Sequence, residues 1–105
     1  AASDVYKRQR SVIDLFVKQT LGRMIESRRK QPNSLIDTLD ALLQENGNAL
    51  KAAQRLTIHR NTLNQRIQRI EQLSGQSLDD PLFRMNASVA LLVWRMTEAQ
   101  RQDRP

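Results

Sequence analysis

The stretch "AAQRLTIHRNTLNQRIQRIEQLSG" (residues 52–75) decides how the rest of the chain is read. Arg55, Arg60, Arg66 and Arg69 all precede its first acid, Glu71, while Leu63, Ile67 and Ile70 recur at helical spacing. At 100° per residue those three apolar side chains fall within about 60° of arc. The opposite side carries Asn61, Gln65, Gln68 and Gln72, flanked by Arg60, Asn64 and Arg69. A plain solvated helix gains from Glu and Lys, whose i,i+4 pairs stabilise it. Asn and Gln can instead bond adenine in a bidentate way, and Arg does so for guanine. An acid-free, amide-rich outer face therefore argues for a helix that lies in a groove of DNA.

Working outward, the same stretch meets the demands of a helix-turn-helix unit. Asn48 is placed to cap a short helix running to about Leu56, and "TIH" (residues 57–59) leaves room only for a tight connection. His59 stands where an N-cap belongs, the next helix runs from Arg60 to about Leu73, and Gly75 closes it. Two helices crossing closely need a small residue at the contact, which Ala53 supplies. Leu56 and Ile58 plug the corner, and Leu63 and Ile67 face back into the core. Thr57 occupies the turn position often taken by Gly, so a backbone that is not left-handed is expected there.

The flanks read as helices too. Val12, Ile13, Phe16, Val17, Leu21, Met24 and Ile25 form a helical stripe from Ser11 to about Ser27. "RRKQPNS" (residues 28–34) interrupts it, and Ser34 is a candidate N-cap for a second helix with Asp37 in its first turn. There Leu35, Ile36, Leu39, Leu42 and Leu43 align, until "ENGN" (residues 45–48) ends the helix with Gly47 as a left-handed stop. "LDDP" (residues 78–81) restarts the chain, with Asp80 as N-cap and Pro81 in the first turn of a last helix reaching about Gln100. No strand alternation, hairpin or internal repeat appears. The expected fold is all-α, a bundle of about five helices whose third and fourth form the helix-turn-helix, at about residues 49–73. Residues 1–10 are expected to be disordered or non-native, residues 11–100 to form the domain, and residues 101–105 to be a loose tail.

Composition narrows the function. The 105 residues suit one small domain, and with no Cys and a single His (His59) neither disulfides nor a thiolate or histidine metal cluster can form. His59 therefore reads as a cap or packing residue. The longest apolar run, "VALLVW" (residues 89–94), is far shorter than the roughly 20 residues of a membrane span, and the N-terminus has no secretory pattern. A cytoplasmic protein is expected, with no membrane partner, cofactor or small-molecule ligand for this module. No nucleophile–base pair, glycine-rich phosphate loop or carboxylate cluster emerges, so an enzyme is not expected. The net charge is +6, and residues 51–70 alone hold five basic residues and no acid. A basic block within a folded domain suits a polyanion.

The motif residues also carry a resemblance. Thr38, Leu39, Leu42 and Asn46 precede Ala53 and Leu56. Then follow His59, Arg60, Asn61, Thr62, Leu63, Arg66, Arg69, Ile70, Leu73, Gly75, Leu78 and Asp80. This pattern resembles the C-terminal domain of the purine-catabolism and sugar-diacid regulators (the PucR/CdaR type) over about residues 35–95. Gln65 stands where such domains commonly have an aromatic. The resemblance implies a bacterial transcription regulator whose sensor lies N-terminal to this module, so that the chain is the tail of a longer protein.

Position on the helix assigns the roles. Arg60, Asn61, Asn64 and Gln65, at the start of the recognition helix, are the candidates for base readout. Thr62, Arg66 and Arg69, with Arg55 on the preceding helix, are candidates for phosphate contact, which fixes register without reading sequence. Thr62 serves equally well as a local cap, and "RRK" (residues 28–30) reads mainly as solvated charge. The rival function is a helical protein-interaction or dimerisation module. Its support is the last helix, where Leu82, Phe83, Met85, Val89, Leu91, Leu92, Val93, Trp94 and Met96 surround too much of the surface for one buried face. Either that helix is central in the bundle, or Val89, Leu92, Val93 and Met96 pack on a second copy, giving a homodimer.

Overall fold

The computed structural model describes residues 2–30 and 35–102, with side chains for residues 9–28 and 35–101. Its elements are α1 (Ala2–Lys30), α2 (Leu35–Gln44), α3 (Ala49–Leu56), α4 (Arg60–Ser74) and α5 (Pro81–Gln102), with no strand among the described residues. The fold is all-α, as the periodicity indicates. Among the described residues no helix is long and apolar enough to cross a membrane. Ser34 falls outside the described residues, as do residues 103–105 of the tail.

α2 is the helix at the centre. Leu35, Ile36, Thr38, Leu39, Ala41 and Leu42 are all buried, and α2 touches each of the other four helices. Of the two placements open to the last helix, the central one is not taken: α5 lies along α1 and α2 and buries Phe83, Ala87, Ala90 and Leu91 on one side. α2 gains this place because apolar or small residues occupy nearly every position around its short length.

Two apolar clusters share α2 and α4 as walls. The larger gathers Leu21 and Met24 of α1, Leu35, Ile36 and Leu39 of α2, Ile70 of α4, and Phe83, Ala87, Ala90 and Leu91 of α5. The smaller joins Ala41 and Leu42 of α2, Ala52 and Ala53 of α3 and Leu63 of α4. Leu78, in the α4–α5 connection, packs against both.

Helix ends follow local chemistry. Asp80 Oδ1 accepts the Leu82 N–H at 3.0 Å, capping α5 ahead of Pro81. At the end of α2 the N–H of Gly47 reaches Leu42 O at 2.7 Å and that of Asn46 reaches Leu43 O at 3.2 Å, a Schellman stop. Asn46 and Gly47 are both left-handed there, so the stop begins one residue before the glycine singled out in the sequence.

The N-terminal end departs from expectation. α1 starts at Ala2 instead of Ser11, through a stretch with neither Pro nor Gly to stop it. Val12 is 67% exposed and Ile13 46%, so neither joins the core stripe that Val17, Leu21 and Met24 maintain. The radius of gyration, 15.1 Å, is above the roughly 13 Å of a compact domain this size, and the extents of 52 × 33 × 22 Å are those of an elongated body.

Candidate nucleic-acid interface

The helix-turn-helix is built as its spacing demands. Asn48 caps α3, its Oδ1 accepting the Lys51 N–H at 3.1 Å. His59 caps α4, its Nδ1 accepting the Asn61 N–H at 3.1 Å, so in the neutral ring the proton sits on Nε2. Ala53 and the neighbouring Ala52, which the sequence reading passed over, are both buried against α2 and α4. Leu56, Ile58 and Ile67 pack around them, and Leu63 is fully buried.

The turn corrects one expectation. Thr57 is left-handed, with φ 56° and ψ 46°. Its N–H bonds Gln54 O at 3.2 Å and the Ile58 N–H bonds Ala53 O at 3.1 Å. This is a second Schellman stop, and it seats Ile58 on the small cluster. Burial of Ile58 and the two hydrogen bonds offset the roughly 1–2 kcal/mol that a left-handed L residue costs.

α4 then presents its outer side to solvent. Arg60, Asn61, Asn64, Gln65, Gln68, Arg69 and Gln72 are all exposed. The acid on this helix, Glu71, is half-buried and committed elsewhere: its Oε2 accepts the Leu78 N–H at 2.9 Å. The exposed face is thus cationic and amide-bearing, with no carboxylate to repel a phosphate backbone. All four readout candidates lie on it, in the first two turns.

The phosphate candidates divide. Arg69 is exposed, and its bond to Gln72 Oε1, at 3.5 Å, is at the outer limit for such contacts. Thr62 is half-buried in the first turn. Arg66 is half-buried and turned back toward α2, where its Nη1 donates to the buried Thr38 Oγ1 at 3.4 Å. Arg55 is exposed but already engaged: it pairs with Glu45 at 2.9 Å and its Nη1 donates to Gln44 Oε1 at 2.8 Å. These two arginines pin α4 and α3 to the central helix. Spacing could not show it, because their partners lie 10 to 28 residues away. Arg28 is likewise occupied, its guanidinium 5.2 Å from the Trp94 ring centroid.

Comparison with known proteins agrees with this geometry. Residues 35–93 match the model of the PucR C-terminal helix-turn-helix domain. The chain is 35% identical over 81 residues to the purine catabolism regulatory protein of Bacillus subtilis (strain 168). That match covers 77% of this chain but spans only 15% of the length of that relative. No solved structure gives a significant match. The matched span takes in α2, α3, α4 and the first half of α5, and the chain belongs to the family of PucR C-terminal helix-turn-helix domains.

Proposed function

We propose that this domain reads specific DNA sequences for a longer transcription regulator, with α4 in the major groove. The observation that carries the reading is the outer face of α4: seven exposed Arg, Asn and Gln side chains and no acid. Arg60, Asn61, Asn64 and Gln65 reach base edges from the first two turns, and Arg69 and Thr62 engage phosphates. Arg55 and Arg66, expected as phosphate contacts, also hold the motif on its neighbours through Glu45, Gln44 and Thr38. The relative, far longer than this chain, is named as a regulator of purine catabolism, which supports placing the domain within a larger sensor-regulator.

The test is binding to an operator selected from random duplexes, measured across salt. Contact through phosphates makes log K fall linearly with log salt at about 0.9 per phosphate neutralised. A protein-docking module would show no selected operator and only a weak salt response. That outcome would remove α4 as a reader.

A further inference from the structure

The outer side of α5 is apolar where that of α4 is polar. Leu82, Met85, Val89, Leu92 and Met96 are 48–62% exposed and follow one another at intervals of three, four, three and four residues. That is the a/d spacing of a helix-to-helix seam. At 100° per residue the stripe is centred roughly 170° from Phe83, Ala87, Ala90, Leu91 and Trp94, which face the protein. α5 therefore has two apolar faces back to back, one filled by its own bundle and one open.

We propose that the open face pairs with the same face of a second copy of this chain. Two features select that occupant. A 3.5-residue period matches another helix running alongside, and a second α5 supplies the same period. The stripe is flanked by Asn86, Ser88, Val93, Ala99 and Gln100, so identical surfaces meet without opposed like charges. The nearest cation, Arg95, is already paired with Asp40 at 2.6 Å. Five seam residues are far fewer than the roughly 20–30 a side of a standard interface. Pairing of this size is weak and reversible, and two chains of +6 each repel in free solution. A face so small survives exposure in the single chain and closes when two copies are held near one another. Val93, expected among the contacts, is half-buried and forms the edge of the seam, not its centre. The open stripe lies roughly opposite the side of α5 that shares a cluster with the inner residue Ile70 of α4, so pairing leaves the outer face of α4 open.

The proposal stands without the DNA reading, and its test uses no DNA. Sedimentation equilibrium of the chain over rising concentration should show a reversible monomer–dimer step. Leu92→Glu should weaken dimerisation at least tenfold while the circular dichroism spectrum and melting temperature stay as in the parent. Leu92→Ser is the second variant should the glutamate disturb the fold. Leu50→Glu, at a 55% exposed leucine on α3 away from the seam, should dimerise as the parent does. A chain that stays monomeric at every concentration overturns the proposal. So does unchanged dimerisation of the α5 variants, or equal loss in Leu50→Glu.

Discussion

α4 and α5 are helices of similar construction with opposite outer surfaces. Each buries an apolar stripe against the bundle, Leu63 and Ile70 in α4 and Phe83, Ala87, Ala90 and Leu91 in α5. Beyond that stripe α4 turns out amides and guanidinium groups, and α5 turns out Leu, Met and Val. The inner stripes are interchangeable in kind and specify where a helix sits. The outer ones contribute little to the fold, and what they carry reflects what the helix meets outside its own chain.

Substitutions can break or sharpen that contrast, and the inner stripe should respond most. Leu63→Ala, at a fully buried position, should destabilise the domain by about 2–5 kcal/mol. The same truncation at Leu92 should change monomer stability by no more than about 0.5 kcal/mol, as expected of an exposed site. Chemical denaturation of both variants checks the pair. Equal losses would erase the distinction between inner and outer faces.

The next effect is in the small cluster. Ala53→Leu overpacks the contact of α3 with its neighbours and should cost about 1–3 kcal/mol, read as a lower melting temperature. An unaltered melting curve would place the helix crossing elsewhere.

On the outer face of α4, function should move while stability does not. Arg60→Ala, Asn64→Ala or Gln65→Ala should each weaken operator binding by about 1–3 kcal/mol, with melting temperatures unchanged. Affinity for random DNA should fall noticeably only for Arg60→Ala, which also loses a charge. Titration of selected and random duplexes separates the two, and operator affinity unaffected in all three variants would count against these readers. Arg69→Ala should weaken all duplexes alike and flatten the salt slope by roughly one unit. A shifted base preference at constant slope would contradict a phosphate role.

The smallest change is expected at the turn. Thr57→Gly should stabilise the fold by about 0.5–1 kcal/mol, since glycine adopts the left-handed conformation without steric cost but loses more entropy on folding. A destabilised variant would mean that the threonine side chain contributes more than its strain costs.

Much of this architecture is legible in the sequence because its determinants are local. The caps at Asn48, His59 and Asp80 act within three residues, and the buried stripes of α2 and α4 follow helical spacing. What escaped reading depends on distant packing. Arg55 and Arg66 look like free cations until α2 supplies Glu45, Gln44 and Thr38. Thr57 looks right-handed until Ile58 is seen to need its place on the small cluster. Val12 and Ile13 have core-like spacing, but they stay exposed among the described residues and make no core. On the outer face of α4, residue types and spacing were enough to mark which side chains are exposed, since exposure follows from the same period that defines the stripe.

The division of the interior into two clusters bears on how the molecule opens. α3 has eight residues, contributes to the smaller cluster alone, and is held otherwise by Arg55 and two left-handed turns. α2 and α4 belong to both clusters and cannot loosen without exposing most of the interior. Native-state amide exchange should therefore resolve α3 as a separate low-energy opening unit, with α2 and the middle of α4 exchanging only through global unfolding. Bound duplex would slow exchange in α3 most. The part of the motif that presses on α4 would then be ordered at the moment of binding, its ordering drawn from the free energy of the complex.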